Sequence, residues 1–347
     1  MAPIAAHPVR SAARTTLHTV TVAAAPDAVY RLVADVSEWP QVFGPTVHVD
    51  VLQEAPEEGG EQLLRIWATA NGQVRNWTSR RVLDPAARTV TFRQVVSAAP
   101  VASMGGAWRI APEGDGSRVE LLHDYRAVDD DPAAEALIEQ AVDRNSTAEL
   151  DALKKTAELG ADRAALHFSF HDSVRVDGDA ADVFAFLDRA DLWPERLPHV
   201  ARLDLREDVV DGQPVVQHMD MDTRSPDGST HNTTSIRVSF PDRRTLVYKQ
   251  LRVPAAMTGH TGRWTVEPAA GTDGAWEVTS WHTVTLDPEG VRALLGPDAT
   301  LADARAKVRH ALGANSSTTL RHAKEFAEAR AAGAPDGAGA EGARATT

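Results

Sequence analysis

The 347-residue chain carries 36 lysine and arginine residues against 49 aspartate and glutamate, a formal charge of -13, and 43% of its residues are hydrophobic. That length and apolar content suffice for two cored domains, while the acidic balance argues against a nucleic-acid partner, which would call for a basic face. The absence of cysteine excludes disulfides, thiolate catalysis and cysteine-based metal sites, and fits a reducing cytoplasm.

Residues 1–14 read as a loose leader without a continuous apolar signal core, and no run reaches the roughly 18–20 apolar residues that cross a bilayer. An alternating segment, Thr16 to Ala23, comes first. A short helix follows, introduced by Pro26-Asp27, with Val29, Leu32 and Val33 at helical spacing. Six strands are then expected at 47–54, 61–70, 74–84, 88–96, 101–111 and 117–128, separated by turn formers such as Gly59-Gly60, Asn71-Gly72 and Asp84-Pro85. A long helix beginning at Asp131-Pro132 ends near Gly160.

The plan then repeats. RVLDPAARTVTFRQ (81–94) aligns without a gap on RVSFPDRRTLVYKQ (237–250), Trp39-Pro40 matches Trp193-Pro194, Trp108 matches Trp264, and Asn145-Ser146-Thr147 matches Asn315-Ser316-Ser317. The second copy opens with an alternating segment, His167 to Val176, continues with a helix introduced by Asp179 that places Val183, Phe184 and Leu187, and closes with a helix from Pro297 to Arg330. We therefore expect two tandem α+β domains, 15–160 and 166–330, each a curved antiparallel seven-stranded sheet around a long C-terminal helix, with an Ala/Gly/Pro-rich disordered tail at 331–347. Where the helix does not fill the concavity, a pocket for a small molecule remains.

Alternation along 74–84 puts Trp77, Ser79 and Arg81 on one face; in the second copy Thr233, Ser235 and Arg237 take those places, so the Ser-x-Arg pair recurs while its neighbour changes. On the closing helices an amide, Asn145 or Asn315, falls on the expected buried stripe. A buried amide either bonds neighbouring backbone or faces a polar-lined cavity. His123 and Tyr125 share a face, and alternation alone does not say which side is inner. The histidines show no metal-ligand spacing with carboxylates.

The segments EWPQVFGPT and RNWTSRRV, Trp108 in the next-to-last strand and NST in the final helix resemble the two-domain aromatase/cyclases of bacterial type II polyketide synthases, members of the helix-grip superfamily that includes START lipid carriers and the birch-pollen-allergen fold. The resemblance covers about residues 15–328. It implies a cytoplasmic, cofactor-independent enzyme that cyclises and dehydrates the first ring of a poly-β-ketone held by an acyl carrier protein, among other type II synthase components. Members of this form generally close that ring between carbons seven and twelve. The implied pocket positions are Trp39, Trp77, Ser79, Arg81, Trp108 and Asn145, with Trp193, Ser235, Arg237, Trp264 and Asn315 in the second copy. Arg81 is expected to stabilise an enolate or alkoxide, Ser79 and Asn145 to orient carbonyls or water, the tryptophans to form flat walls, and His123, beside Tyr125, to move protons unless ordered water does so. A departure is that Thr46 and Val200 stand where single-domain members carry a tyrosine. The same superfamily implies an alternative, a non-catalytic lipid or isoprenoid carrier lined by aliphatics; a co-chaperone or assembly module would show an exposed apolar patch instead.

Overall fold

The computed structural model describes residues 13–70, 72–224, 228, 230–271 and 274–333. The chain divides into two compact units, residues 1–163 and 164–347. The first contains β1 (Arg14–Val22), α1 (Pro26–Ala34), α2 (Trp39–Val42), β2 (Thr46–Gln53), β3 (Gly60–Ala70), β4 (Gln73–Asp84), β5 (Thr89–Gln94), β6 (Val101–Glu113), β7 (Gly116–Ala127) and α3 (Pro132–Glu158). Its seven strands form one sheet in the order β1-β7-β6-β5-β4-β3-β2, all neighbours antiparallel. The first and last strands of the unit, β1 and β7, thus pair directly, and α3 packs against them.

A short helix α4 (Asp162–Leu166) leads into the second unit: β8 (His167–Val176), α5 (Ala180–Asp188), α6 (Trp193–Arg196), β9 (Val200–Asp208), β10 (Val215–Arg224), β11 (Thr230–Phe240), β12 (Thr245–Arg252), β13 (Met257–Pro268), β14 (Trp276–Leu286), α7 (Pro288–Leu295) and α8 (Leu301–Ala331). The sheet order, β8-β14-β13-β12-β11-β10-β9, is that of the first unit. Both units have the α+β architecture expected from the sequence. The proposed tail from 334 onward and the leader up to residue 12 lie outside the described residues; Arg14, taken as leader, begins β1 and pairs with Tyr125.

Helix starts follow local chemistry. The Asp131 carboxylate accepts the Ala133 N–H before α3, with Pro132 in the first turn, and Thr300 forms a reciprocal capping box with Asp303 before α8; each satisfies an orphan N–H. The second closing helix was expected to start at Pro297. Instead α7 intervenes, stopped by Gly296 at φ 95°, and α8 starts only at Leu301.

The buried stripes also differ from expectation. On α3 they comprise Ile138, Val142, Ser146, Leu150, Leu153 and Ala157, so the polar residue on the stripe is Ser146 and not Asn145, which is exposed. Ser316 holds the equivalent place on α8, with Asn315 half-buried. Each core joins sheet, short helix and closing helix: Val29, Val33, Trp108, Leu121, Leu150 and Leu153 cluster in the first unit, and Val183, Leu187, Trp264, Leu320 and Ala323 in the second. A fully buried aliphatic side chain of this kind stabilises by about 1.5–3 kcal/mol. No described helix is long and apolar enough to cross a membrane.

Candidate active site

Directly opposed residues of antiparallel strands point to the same side of a sheet, so register alone assembles the interior wall of the first unit. One row across the sheet reads Thr16, His123, Gly106, Phe92, Arg81, Gln62. The rows beside it carry Leu121, Trp108 and Val90 on one side, Tyr125 with Met104 and Gln94 with Ser79 and Leu64 on the other, and then Trp77 opposite Ile66. Trp77, Ser79, Arg81, Trp108, His123 and Tyr125 therefore stand on one face. It is the face covered by α3: Tyr125 clusters with Ile138 and Val142, and Trp108 with Leu150 and Leu153. His123, whose side the sequence left open, faces inward, with Nδ1 3.3 Å from Ser146 Oγ.

Arg81 is not the unoccupied cation the sequence suggested. It is 2% exposed, and its donors are engaged: Nε and Nη2 donate to Gln62 Oε1 at 3.1 and 2.5 Å, Nη1 to the Val33 carbonyl at 3.0 Å and Nη2 to the Ala34 carbonyl at 2.8 Å. Four of the five N–H groups of a guanidinium are thus occupied. The last carbonyls of α1 lack partners within their helix and carry partial negative charge, which is the chemistry that draws the guanidinium there. Its carbon lies 5.1 Å from the Trp39 ring, and Trp39 Nε1 donates to the same Val33 carbonyl at 3.2 Å. Burial holds Arg81 below the usual guanidinium value, at about 10, still a cation at neutral pH. Arg81 ties α1 and Trp39 to the sheet, and an oxyanion would have to displace those partners.

The second copy repeats the tie. Arg237, 3% exposed, donates to the Leu187 carbonyl at the end of α5 at 2.7 Å and lies 5.0 Å from the Trp193 ring. Ser79 Oγ lies 3.4 Å from the Arg93 carbonyl, whereas Ser235 is half-buried. The recurrence of Ser-x-Arg therefore marks a scaffold contact made twice.

The residue missed by sequence reasoning is Glu149. It lies one helical turn after Asn145 and three residues after Ser146, on the side of α3 turned to the sheet. It keeps some accessible surface, yet enclosure by protein raises its carboxyl to about 7. A carboxylate set three positions from a buried serine was the available signal, obscured because the stripe was drawn through Asn145, Ala148 and Ala152. Asn145 is exposed, at the edge of that helix face. His123 is pulled down to about 4 chiefly by burial, with the His18 charge second, so it is neutral at pH 7. Burial also raises the Tyr125 hydroxyl. Trp39 meets Phe43 edge-on at 5.5 Å, and Phe43 lies 6.2 Å from Trp108, giving an aromatic wall beneath α1 and α2. Trp77 is half-buried against Val36, Val49 and Ile66.

An enclosed carboxyl that exchanges a proton near neutrality, on the helix face that also presents a serine hydroxyl bonded to a neutral imidazole, suits proton abstraction next to a carbonyl. In the second unit Trp193 and Trp264 are buried core residues, Asn315 is half-buried, and Thr319 replaces Glu149 in the alignment of the closing helices. Among the described residues no group of three or more His, Asp or Glu is placed to hold a metal ion.

Comparison with known proteins bears on this geometry. The profile of the family described as polyketide cyclase / dehydrase and lipid transport matches residues 14–158 and again 167–324. The chain is 48% identical over 312 residues to the granaticin polyketide synthase bifunctional cyclase/dehydratase of Streptomyces violaceoruber, spanning 90% of this chain and 93% of that protein. It is 47% identical to the actinorhodin polyketide synthase bifunctional cyclase/dehydratase of Streptomyces coelicolor, over 88% and 95% of the two chains. Among solved structures, the di-domain ARO/CYC BexL superposes with a TM-score of 0.82 at 49% identity, covering 91% of this chain and 99% of that one.

Proposed function

The chain belongs to the polyketide cyclase / dehydrase and lipid transport family, and from that premise we propose that it is a polyketide aromatase/cyclase of a type II synthase. Its substrate is a linear poly-β-ketone on an acyl carrier protein, it works in the cytoplasm with the other synthase components, and its first unit closes the first ring. The observation that carries this reading is the enclosed Glu149 carboxyl, held at about 7 on the sheet side of α3 and on the same helix face as the Ser146–His123 pair.

Glu149 takes a proton from a methylene between two ketones. The C–H electron pair becomes an enolate, whose carbon attacks a second ketone; the new C–C bond leaves an alkoxide, which recovers a proton to give a β-hydroxy ketone, and loss of water then leads to the aromatic ring. His123 and Ser146 hydrogen-bond a ketone oxygen as charge gathers on it. Trp39, Trp77 and Trp108 hold the chain folded in one conformer, a constraint that can supply roughly 7–11 kcal/mol of the barrier. Arg81 acts one step removed, by fixing α1 and Trp39. Asn145, at the exposed edge of the α3 face, and Ser79, on the inner wall, orient outer carbonyls.

The test is a reconstituted synthase containing Glu149→Gln. Loss of a positioned base lowers the rate by about 10²–10⁴-fold, so ring closure should give way to misfolded shunt products. Cyclisation at the normal rate would overturn the assignment. A carrier of the same fold would bind the chain without turnover in either form.

A further inference from the structure

The second unit carries a polar cluster that has no counterpart in the first. Its interior row reads Phe170, His282, Gly262, Tyr248, Arg237, Gln217, matching Thr16, His123, Gly106, Phe92, Arg81, Gln62. Beyond Phe170 in place of Thr16, three places on or beside this row change from apolar to polar. Tyr248 stands for Phe92, opposite Gly262 as Phe92 is opposite Gly106. Ser280 stands for Leu121, each opposite the aligned tryptophan. His260 stands for Met104, each two residues before the aligned glycine. The first unit fills all three places with apolar side chains, so the fold itself does not require polar ones.

The three substitutions converge on the histidine common to both units. Tyr248 Oη lies 3.0 Å from His282 Nδ1 and 3.3 Å from His260 Nε2, and Ser280 Oγ lies 3.2 Å from His282 Nε2. The two imidazoles are stacked with centroids 5.3 Å apart. His260 Nε2 also lies 3.0 Å from His282 Nδ1, so the phenol and two ring nitrogens form a triangle. In one assignment of protons His260 Nε2–H is shared between the tyrosine oxygen and His282 Nδ1, Tyr248 O–H donates to His282 Nδ1, and His282 Nε2–H donates to Ser280 Oγ. His260 Nδ1 is then a bare acceptor, and it is a buried atom without a partner among the described residues, in a side chain only 2% exposed. Burial lowers His260 to about 3 and His282 to about 4 and raises the Tyr248 hydroxyl, so both imidazoles and the phenol are neutral at pH 7.

Of the four side chains, Tyr248 is the least buried. His260, His282 and Ser280 are buried, whereas Tyr248 retains accessible surface. Its ring lies over Gly262, where a Cβ would collide with the phenol; glycine is what lets the hydroxyl reach His282.

We propose that the interior of the second unit is a separate proton-transfer site, in which Tyr248, backed by His282 and His260, dehydrates a β-hydroxy ketone. The inference rests on the aromatase/cyclase reading, since the aldol formed in the first unit is the substrate. The Tyr248 oxygen, oriented by the two imidazoles, takes the proton α to the ketone as its own proton passes to the β-hydroxyl. The C–H pair becomes the C=C bond, the C–O bond breaks, water departs, and the phenol regains its starting state. No oxidant, reductant or further reactant is consumed.

The experiment uses the full chain with a carrier-bound poly-β-ketone, quenched early and resolved by mass spectrometry. Tyr248→Phe installs the residue found at the equivalent place in the first unit. It should consume the linear substrate at the normal rate and accumulate a cyclised product heavier by one water, with the aromatic product reduced at least tenfold. His260→Met, which also borrows the first unit's residue, should shift the partition the same way to a smaller extent. An unchanged ratio of hydrated to aromatic product in Tyr248→Phe would overturn the proposal. Failure of the first-unit reading looks different: Glu149→Gln would then leave substrate consumption unchanged, whatever Tyr248→Phe does to the water loss.

Discussion

The two units share a frame and differ in what that frame encloses. His123 and His282, Gly106 and Gly262, Arg81 and Arg237, Gln62 and Gln217 recur in the same order across the same strands. Against this constancy, Phe92 becomes Tyr248, Leu121 becomes Ser280, and Glu149 becomes Thr319. The shared set includes the ties between sheet and short helix; the divergent set lies on the inner face of the sheet and on the closing helix. Duplication has kept the contacts that hold the fold and altered other interior positions, so the interiors are chemically unlike despite a common topology.

Removing the shared tie should give the largest effect and show whether the two are equal. Arg81→Ala strips three neutral acceptors of their donor, and each buried acceptor left unsatisfied costs about 1–3 kcal/mol. Arg237 has one carbonyl and a 3.7 Å contact to Met219 Sδ, so Arg237→Ala should cost less by about 1–3 kcal/mol, the worth of charged hydrogen bonds. Hydrogen exchange of α1 in one variant and α5 in the other reads the two losses separately; equal losses would erase the distinction.

A smaller effect should come from the carboxyl that only the first unit encloses. The native state holds the Glu149 proton up to about pH 7, while the unfolded chain releases it near the ordinary glutamate value of about 4.3. Between those values the native state binds more protons, so stability falls as pH rises. Glu149→Gln should remove this slope, gaining up to about 3 kcal/mol above pH 7 from roughly 1.36 kcal/mol per pH unit. Denaturant midpoints for both proteins at pH 5 and pH 8 would expose it, and parallel pH dependences would contradict it.

The smallest effect should come from moving the second unit's phenol into the first. Phe92 sits edge-on to His123 at 5.4 Å, and Phe92→Tyr would bring a hydroxyl towards His123 Nδ1 in competition with Ser146. A net hydrogen bond is worth about 0.5–1.5 kcal/mol, so stability should change by no more than that, while the imidazole resonances of His123 move in the NMR spectrum. Unmoved resonances would mean that the units differ in more than this position.

Much of the fold was legible in the sequence because strands and turns announce themselves. Alternation and glycine-bearing turns located the strands of the first unit closely: 47–54 is Thr46–Gln53 and 74–84 is Gln73–Asp84 in the structure. α7 was missed because its eight residues, Pro288–Leu295, are too few for a clear period. The site was less legible. Alternation put Trp77, Ser79 and Arg81 on one face, but it cannot report what a guanidinium touches, and the α1 carbonyls that hold Arg81 lie 47 and 48 residues away in sequence. On α3 the stripe was drawn a fraction of a turn too far round. That small rotation exchanged Asn145 for Ser146 and hid Glu149, whose significance comes from enclosure and has no signature in composition.

The commitment of Arg81 to the end of α1 has a practical corollary for anyone remodelling this enzyme. Trp77, Phe92 and Met104, half-buried on the inner face of the sheet, take no part in the hydrogen bonds of that tie, so exchanging them leaves it in place while altering the packing around Val36, Val33 and Tyr125. Libraries seeking new cyclisation patterns should vary those positions and leave the guanidinium, its glutamine and the adjoining helix terminus untouched.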